Sequence, residues 1–235
     1  DRVFAPARRG LEHIVLSGFV FEHCGNQGPF PQNGMVSIRS GSNWIIENNV
    51  FRFAKTIALD CGNEYWNLNQ IAYTLPEDRR HFSPANVIIR NNMFCDNGLT
   101  GISSHSNRDF RIEDNVFERN NALSLSNAYE CEWEEQAAIK LHGAVGTLIA
   151  GNLIRNNCAH GVWIDNGNTR SRISRNVVIG NEGSGIYIEV GKGNTEGIID
   201  NNIVGCTSLF FNFRGGGITI ESTSGMTIAH NLVFE

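Results

Sequence analysis

Gly161-Val162-Trp163-Ile164-Asp165 and, 24 positions later, Gly185-Ile186-Tyr187-Ile188-Glu189 share one pattern: glycine, aliphatic, aromatic, isoleucine, carboxylate. Side chains of period two belong to a β-strand, so Val162 and Ile164 face one way while Trp163 and Asp165 face the other. A repeat of this length with preserved register fits strands stacked in successive coils, about 4.8 Å apart. Asp165 and Glu189 then become near neighbours on one outer face, flanked by Trp163 and Tyr187. Two carboxylates about 5 Å apart beside aromatic platforms are what retaining glycoside hydrolysis requires.

The rest of the chain carries the same periodicity. A motif of aliphatic, two variable residues, asparagine and two apolar residues recurs around Asn49, Asn92, Asn115, Asn152, Asn176, Asn202 and Asn231, with Leu16 to Phe21 as a variant holding Phe19 at the asparagine position. Each copy is followed, after a turn rich in Asn and Gly, by a second alternating stretch such as Thr56 to Asp60, Gly101 to His105 or Ala138 to His142. Alternation of period two excludes amphipathic helices for these segments. Spacings between the asparagines run from 23 to 43 residues, so turns absorb insertions while strands keep register. A solenoid tolerates this because each coil needs only its neighbours to complete the core. The asparagines are expected to form a stacked amide ladder and to be structural. The fold expected is all-β, a parallel β-helix formed as one domain over residues 1–235, with irregular loop insertions.

This pattern resembles the right-handed parallel β-helix repeats of carbohydrate-active proteins, a group that includes lyases, epimerases, hydrolases and phage tailspikes, and the resemblance covers nearly the whole chain. Trp163-x-Asp165, followed one coil later by Glu189, is similar to the active site of β-helix glycosidases related to β-xylosidases and α-fucosidases. That resemblance implies Asp165 as nucleophile and Glu189 as acid/base. The residues agree with it, since closely apposed carboxylates share a proton, raising one pKa and leaving the other group ionised.

Aligned by their alternation, the second stretches place Arg39, Asp60, His105, His142, Asp165, Glu189 and Glu221 in one column. A column two residues earlier holds Ser37, Ala58, Ser103, Lys140, Trp163, Tyr187 and Thr219. Both columns are expected on the outer face. Trp163 and Tyr187 are candidates to stack on sugars, and Lys140 and His142 to bind hydroxyls or a carboxylate. Asp60, Trp133, Glu134 and Glu135 are further substrate-binding candidates, while His160, Arg39 and His105 are expected to be structural or peripheral. Insertions at 24–34, 62–85 and 120–136 interrupt an otherwise economical solenoid and are expected to wall a binding site.

Composition narrows the partners. A formal net charge of −5 leaves no basic footprint for nucleic acid or an anionic membrane, and no apolar run approaches the length of a membrane helix. The six cysteines include no Cys-x-x-Cys pair, so they are read as buried or turn thiols, and neither metal nor cofactor is expected. The expected partner is a carbohydrate. Both ends interrupt the repeat, which points to a further domain or partner capping the solenoid. Placement of the protein is expected to be secreted or periplasmic. Two other readings stand beside the hydrolase: a uronate lyase or epimerase with Lys140 or His142 as base, and a non-catalytic carbohydrate-binding solenoid in which only the aromatics matter.

Overall fold

The computed structural model describes residues 2–26, 33–63, 83–123, 136–191, 193–207 and 215–235. Each asparagine motif, which reads as a single strand, is folded into two. The residue just before each ladder asparagine takes left-handed backbone: Asn48 (φ 57°), Asn91 (53°), Asp114 (54°), Gly151 (69°), Arg175 (57°), Asn201 (56°) and His230 (56°). One such residue turns the chain sharply, and Asn, Asp and Gly adopt it at least cost. A coil therefore has three strands rather than two. Among the described residues, stacking the coils gives sheet I, with eight strands from Val15–Ser17 to Ser224–Ala229, and sheet II, with eight from Val20–Cys24 to Leu232–Phe234. Sheet III has seven: Val36–Ser37, Ile57–Asp60, Thr100–His105, Ala137–His142, His160–Asp165, Ile186–Glu189 and Ile218–Glu221.

The ladders among the described residues are parallel and keep register, except for a shift between Asn194 and Gly197 where Asn194–Asp200 pairs with Ser224–Ala229, so like residues stack on like. Ile46, Ile89, Ile112, Ile149, Ile173 and Ile199 form one buried file from sheet I. Phe51, Phe94 and Phe117 form another from sheet II, their rings 4.7 and 4.8 Å apart and nearly parallel. Each such side chain removed from water contributes about 1.5–3 kcal/mol. Because the file is continuous, a coil is stabilised chiefly by its two neighbours.

The corner between sheets I and II holds the amide ladder. Asn92, for example, receives the backbone N–H and side-chain Nδ2 of Asn49 on its Oδ1 (both 3.0 Å), while its own Nδ2 donates to Ile46 O and to Asn115 Oδ1. The chain of bonds runs through all seven asparagines, and Phe19 ends it by donating its N–H to Asn49 Oδ1. A second ladder, Asn97–Asn120–Asn157–Asn181, follows five residues after the first at the corner leaving sheet II. The Asn-x-x-x-x-Asn spacing in those coils is its sequence signal, and it satisfies corner N–H groups that no strand can pair.

One expected register is corrected. Asp60 pairs with Ser103, and Ser37 with Asp60, so Asp60 belongs to the column of Lys140 and Trp163 rather than that of His105. Leu59 takes the core position opposite Ile102, and Ile57 stands opposite Thr100. A slip of two residues preserves the inside–outside alternation, so periodicity alone has no means of detecting it. Arg39 lies in the turn after its strand, donating from Nη1 to the carbonyls of Pro6 and Ala7.

Candidate active site

Four neighbouring strands of sheet III carry the site. Lys140 stands opposite Trp163 and His142 opposite Asp165; Trp163 stands opposite Tyr187, and Glu189 opposite Glu221. The ladder runs through Ile164 and Ile188, so Asp165 and Glu189 occupy the next position on adjacent strands. Ile139, Leu141, Val162, Ile164, Ile186 and Ile188 fill the core on the other side. The glycine that opens each organising stretch has a steric cause: a Cβ on Gly161 would lie 2.5 Å from Gly185 O and 2.7 Å from Val178 Cγ1.

Asp165 is held unevenly. Its Oδ2 accepts from Lys140 Nζ (3.1 Å) and Asn166 Nδ2 (3.1 Å) and lies 3.4 Å from His142 Nδ1. Its Oδ1 is buried with no hydrogen-bond partner among the described residues. Lys140 is fully buried, with its ammonium 3.0 Å from the centre of the Trp163 ring. A cation so enclosed is tolerable because a carboxylate and an aromatic face replace water. Asn166 reaches back to Asp165 because its backbone is left-handed (φ 53°). The same amide is 3.3 Å from His142 Nδ1, and the His142 ring stacks on His105 at 4.3 Å.

The other carboxylates repeat the motif. Trp163 Nε1 donates to Glu189 Oε2 (3.2 Å), and Tyr187 donates its hydroxyl to Glu221 Oε2 (2.7 Å). Asp165, Glu189 and Glu221 are thus each bonded by a donor lying two residues earlier on the preceding strand. This diagonal gives three stacked acids separate partners, which offsets the repulsion expected of like charges at facing positions. His160 supports the aromatics: it accepts the Ser184 backbone N–H on Nδ1 (2.9 Å), so the neutral ring carries its proton on Nε2, and it packs 5.2 Å from Trp163 and 5.1 Å from Tyr187.

Residues 34–233 match the family described as the right-handed beta helix region. The chain belongs to that family. The solenoid is therefore a right-handed parallel β-helix. Among solved structures, this β-helix is similar to one described as the complex of XylC with xylose, at 22% identity and a TM-score of 0.73, covering 98% of this chain and 38% of that one. It is also similar to the A-module of the mannuronan C-5 epimerase AlgE4 from Azotobacter vinelandii, at 13% identity and 0.58, covering 97% and 60%. A third is the surface protein and adhesin PfbA from Streptococcus pneumoniae, at 14% and 0.54, covering 94% and 61%. The chain thus spans under two thirds of each, and at these identities the likeness is one of fold. No curated protein sequence matches it.

Several expected roles change. The outer face of sheet III is enclosed rather than solvated, with Lys140, His142, Ser103 and His105 all buried. Tyr187 is fully buried, so its ring offers no face to a sugar; it packs against Trp163 and positions Glu221. Trp163 is half-buried, with one contact to the Lys140 ammonium. Asp60 is buried two coils away, accepting from Ser37 Oγ and the Gly62 N–H. Trp133, Glu134 and Glu135 lie outside the described residues, as do 27–32, 64–82 and 124–135, most of the three insertions. Asn166 was not anticipated as a partner of Asp165, and its signal, an amide directly after the carboxylate, is common in turns. Cys24, Cys61 and Cys95 are buried thiols in no disulfide among the described residues, and burial pushes the Cys61 thiol far up. Cys131 lies outside the described residues.

Proposed function

We propose that this β-helix is a retaining glycoside hydrolase acting on a poly- or oligosaccharide, with Asp165 as nucleophile and Glu189 as acid/base. The observation that carries this reading is the asymmetry of Asp165. One oxygen is anchored by Lys140 and Asn166, while the other is buried and has no hydrogen-bond partner among the described residues. A nucleophilic carboxylate needs that combination of fixed orientation and uncommitted lone pairs, and in this reading the bound sugar takes the place of the groups that cover Oδ1. In the first step, Asp165 Oδ1 bonds to the anomeric carbon as the glycosidic C–O bond breaks, and protonated Glu189 gives its proton to the departing oxygen. In the second, Glu189 takes a proton from water, the water oxygen bonds to the same carbon, and the ester to Asp165 breaks, so configuration is retained. Lys140 and Asn166 keep hold of Oδ2 throughout, and the Trp163 N–H steadies Glu189.

The solved neighbour with xylose supports a pentoside as the first substrate to try. A uronate is disfavoured, because Asp165, Glu189 and Glu221 stand in successive strands and the buried Lys140 is already engaged by Asp165. That engagement also counts against Lys140 as the free base of a lyase or epimerase. A polymeric substrate of this kind is met outside the cytoplasm, so secreted or periplasmic placement goes with the proposal.

Aryl glycosides, beginning with 4-nitrophenyl β-D-xylopyranoside, give the test. Asp165→Ala and Glu189→Ala are each expected to lower turnover by about 10³-fold, and azide is expected to restore Glu189→Ala through a glycosyl azide of retained configuration. NMR of the first-formed sugar decides the nucleophile, since an inverted product would remove Asp165 from that role. Loss of sugar binding in Trp163→Ala, with no turnover in the wild type, would instead identify a non-catalytic binder.

A further inference from the structure

The corner leaving sheet II is turned in each coil by one residue of positive φ. Read along the solenoid, that column is His23 (56°), Phe53 (56°), Asp96 (56°), Arg119 (52°), Asn156 (53°), Gly180 (65°) and Cys206 (50°). Strand register places these residues directly above one another. Later coils fill the position with polar residues, glycine or cysteine, whereas the first two place aromatic rings there, and for phenylalanine this backbone is disfavoured. Neither ring is there to fill the core. His23 is exposed, Phe53 is 42% exposed, and the rings stack at 5.0 Å with 19° between their planes.

The stack stops abruptly at Phe53. Asp96, next in the column, is drawn to Arg119 in the following coil by bonds of 2.7 and 2.9 Å. Arg52, 5.5 Å from the Phe53 ring, is drawn the other way by Glu22 in the preceding coil (2.6 Å). A cavity of about 440 Å³ opens there, lined by Phe53, Lys55, Asp96, Gly98 and Leu123 among others. That size is ordinary for a small-ligand site. Lys55 is exposed and makes no ion pair among the described residues. Leu123 follows the sheet II strand of the same coil as Lys140, so the cavity lies on the flank of the solenoid beside the catalytic sheet.

We propose that this cavity is a second saccharide site, in which a pyranose ring continues the His23–Phe53 stack. The apolar C–H face of the sugar lies on Phe53, and its hydroxyls meet the Lys55 ammonium and the Asp96 carboxylate. A purely aromatic ligand would cover the same ring but desolvate those two charged groups without replacing their hydrogen bonds. The choice of a sugar rests on the hydrolase reading above, although the site is separate from Asp165 and is tested separately.

Phe53→Asn is the informative substitution, because asparagine suits left-handed backbone and already occupies the column at Asn156. It is compared with wild type, and with the same change in an Asp165→Ala background, by electrophoresis through gels containing soluble arabinoxylan, glucomannan or xyloglucan. Wild type and Asp165→Ala are expected to be retarded alike by at least one polymer. Phe53→Asn is expected to weaken that retardation at least fivefold while melting no lower than wild type and hydrolysing aryl glycosides at an unchanged rate. Equal retardation of Phe53→Asn and wild type overturns the site, as does a wild type retarded by none of the polymers. Phe53-dependent retardation without any aryl glycoside hydrolysis would leave this site standing and remove the hydrolase.

Discussion

At Asp165 the two carboxylate oxygens live in different surroundings, and that difference makes separable predictions about the groups around it. Lys140→Met removes the only full positive charge bonded to Asp165 among the described residues and leaves a buried carboxylate behind. Breaking a buried pair in this way costs about 3–5 kcal/mol. Denaturant midpoints should therefore show a large loss, much of it recovered when Asp165→Asn is added. Asn166→Ala acts on the same oxygen from an exposed turn. Its effect on stability should stay below about 1 kcal/mol, while kcat on an aryl glycoside falls about tenfold, one lost hydrogen bond at the proposed nucleophile. Unchanged kcat in Asn166→Ala would count against its role in orienting Asp165. Asp165, Glu189 and Trp163 could be singled out from sequence because their types and spacing repeat. Tyr187 shares the same position in the repeat, yet its ring is enclosed, and enclosure depends on what lies over the sheet rather than on the strand that holds the residue.

The corners and sheet faces are where the strands acquire their stability. In the amide ladder, Asn152→Ala strands the backbone N–H and one of the two Nδ2 hydrogens of Asn115, the other still donating to Ile89 O, and the carbonyl of Ile112, all inside the solenoid. A loss of about 3 kcal/mol is expected. Asn231→Ala, at a half-buried rung, leaves groups that water can reach and should cost about 1 kcal/mol. Equal losses at the two positions would mean that the ladder does not derive its strength from burial. On the outer face of sheet I, Arg172 grips Asp200 with bonds of 2.8 and 2.6 Å, and this grip holds the Asp200 carboxyl at about 2, below its ordinary 3.8. A carboxyl depressed on folding adds stability above its ordinary pKa and loses it as pH falls through the folded value. Asp200→Asn should therefore melt below wild type at neutral pH, and the gap should close as pH drops from about 4 to about 2. Sequence reading found the first ladder through its repeated motif, but not the bend that splits each motif. The bend depends on one left-handed residue whose identity varies from Asn to Gly to Arg.

Along the solenoid, stability follows from how many neighbours a coil has. The strands Ile218–Glu221, Ser224–Ala229 and Leu232–Phe234 stack on one side only in this chain and are half-buried or exposed, whereas Ala137–His142 and His160–Asp165 are largely buried between neighbours. Amide exchange in the 235-residue protein should accordingly be faster in residues 218–234 than in 137–165, since opening is local where contacts are few. Uniform exchange would show that the coils unfold as one unit. The sequence by itself determined the parallel β-helix, its alternation of core and outer residues, the asparagine ladder and the placing of Asp165 and Glu189 on successive strands. It could do so because a stacked fold repeats its local requirements in every coil. Tertiary structure alone decided that coils have three strands, that Asp60 aligns with Ser103, that the outer face of sheet III is enclosed and that one buried oxygen of Asp165 has no hydrogen-bond partner among the described residues. Those features arise from contacts between coils distant in sequence, and a shift of two residues or a covered face leaves the periodic pattern unchanged.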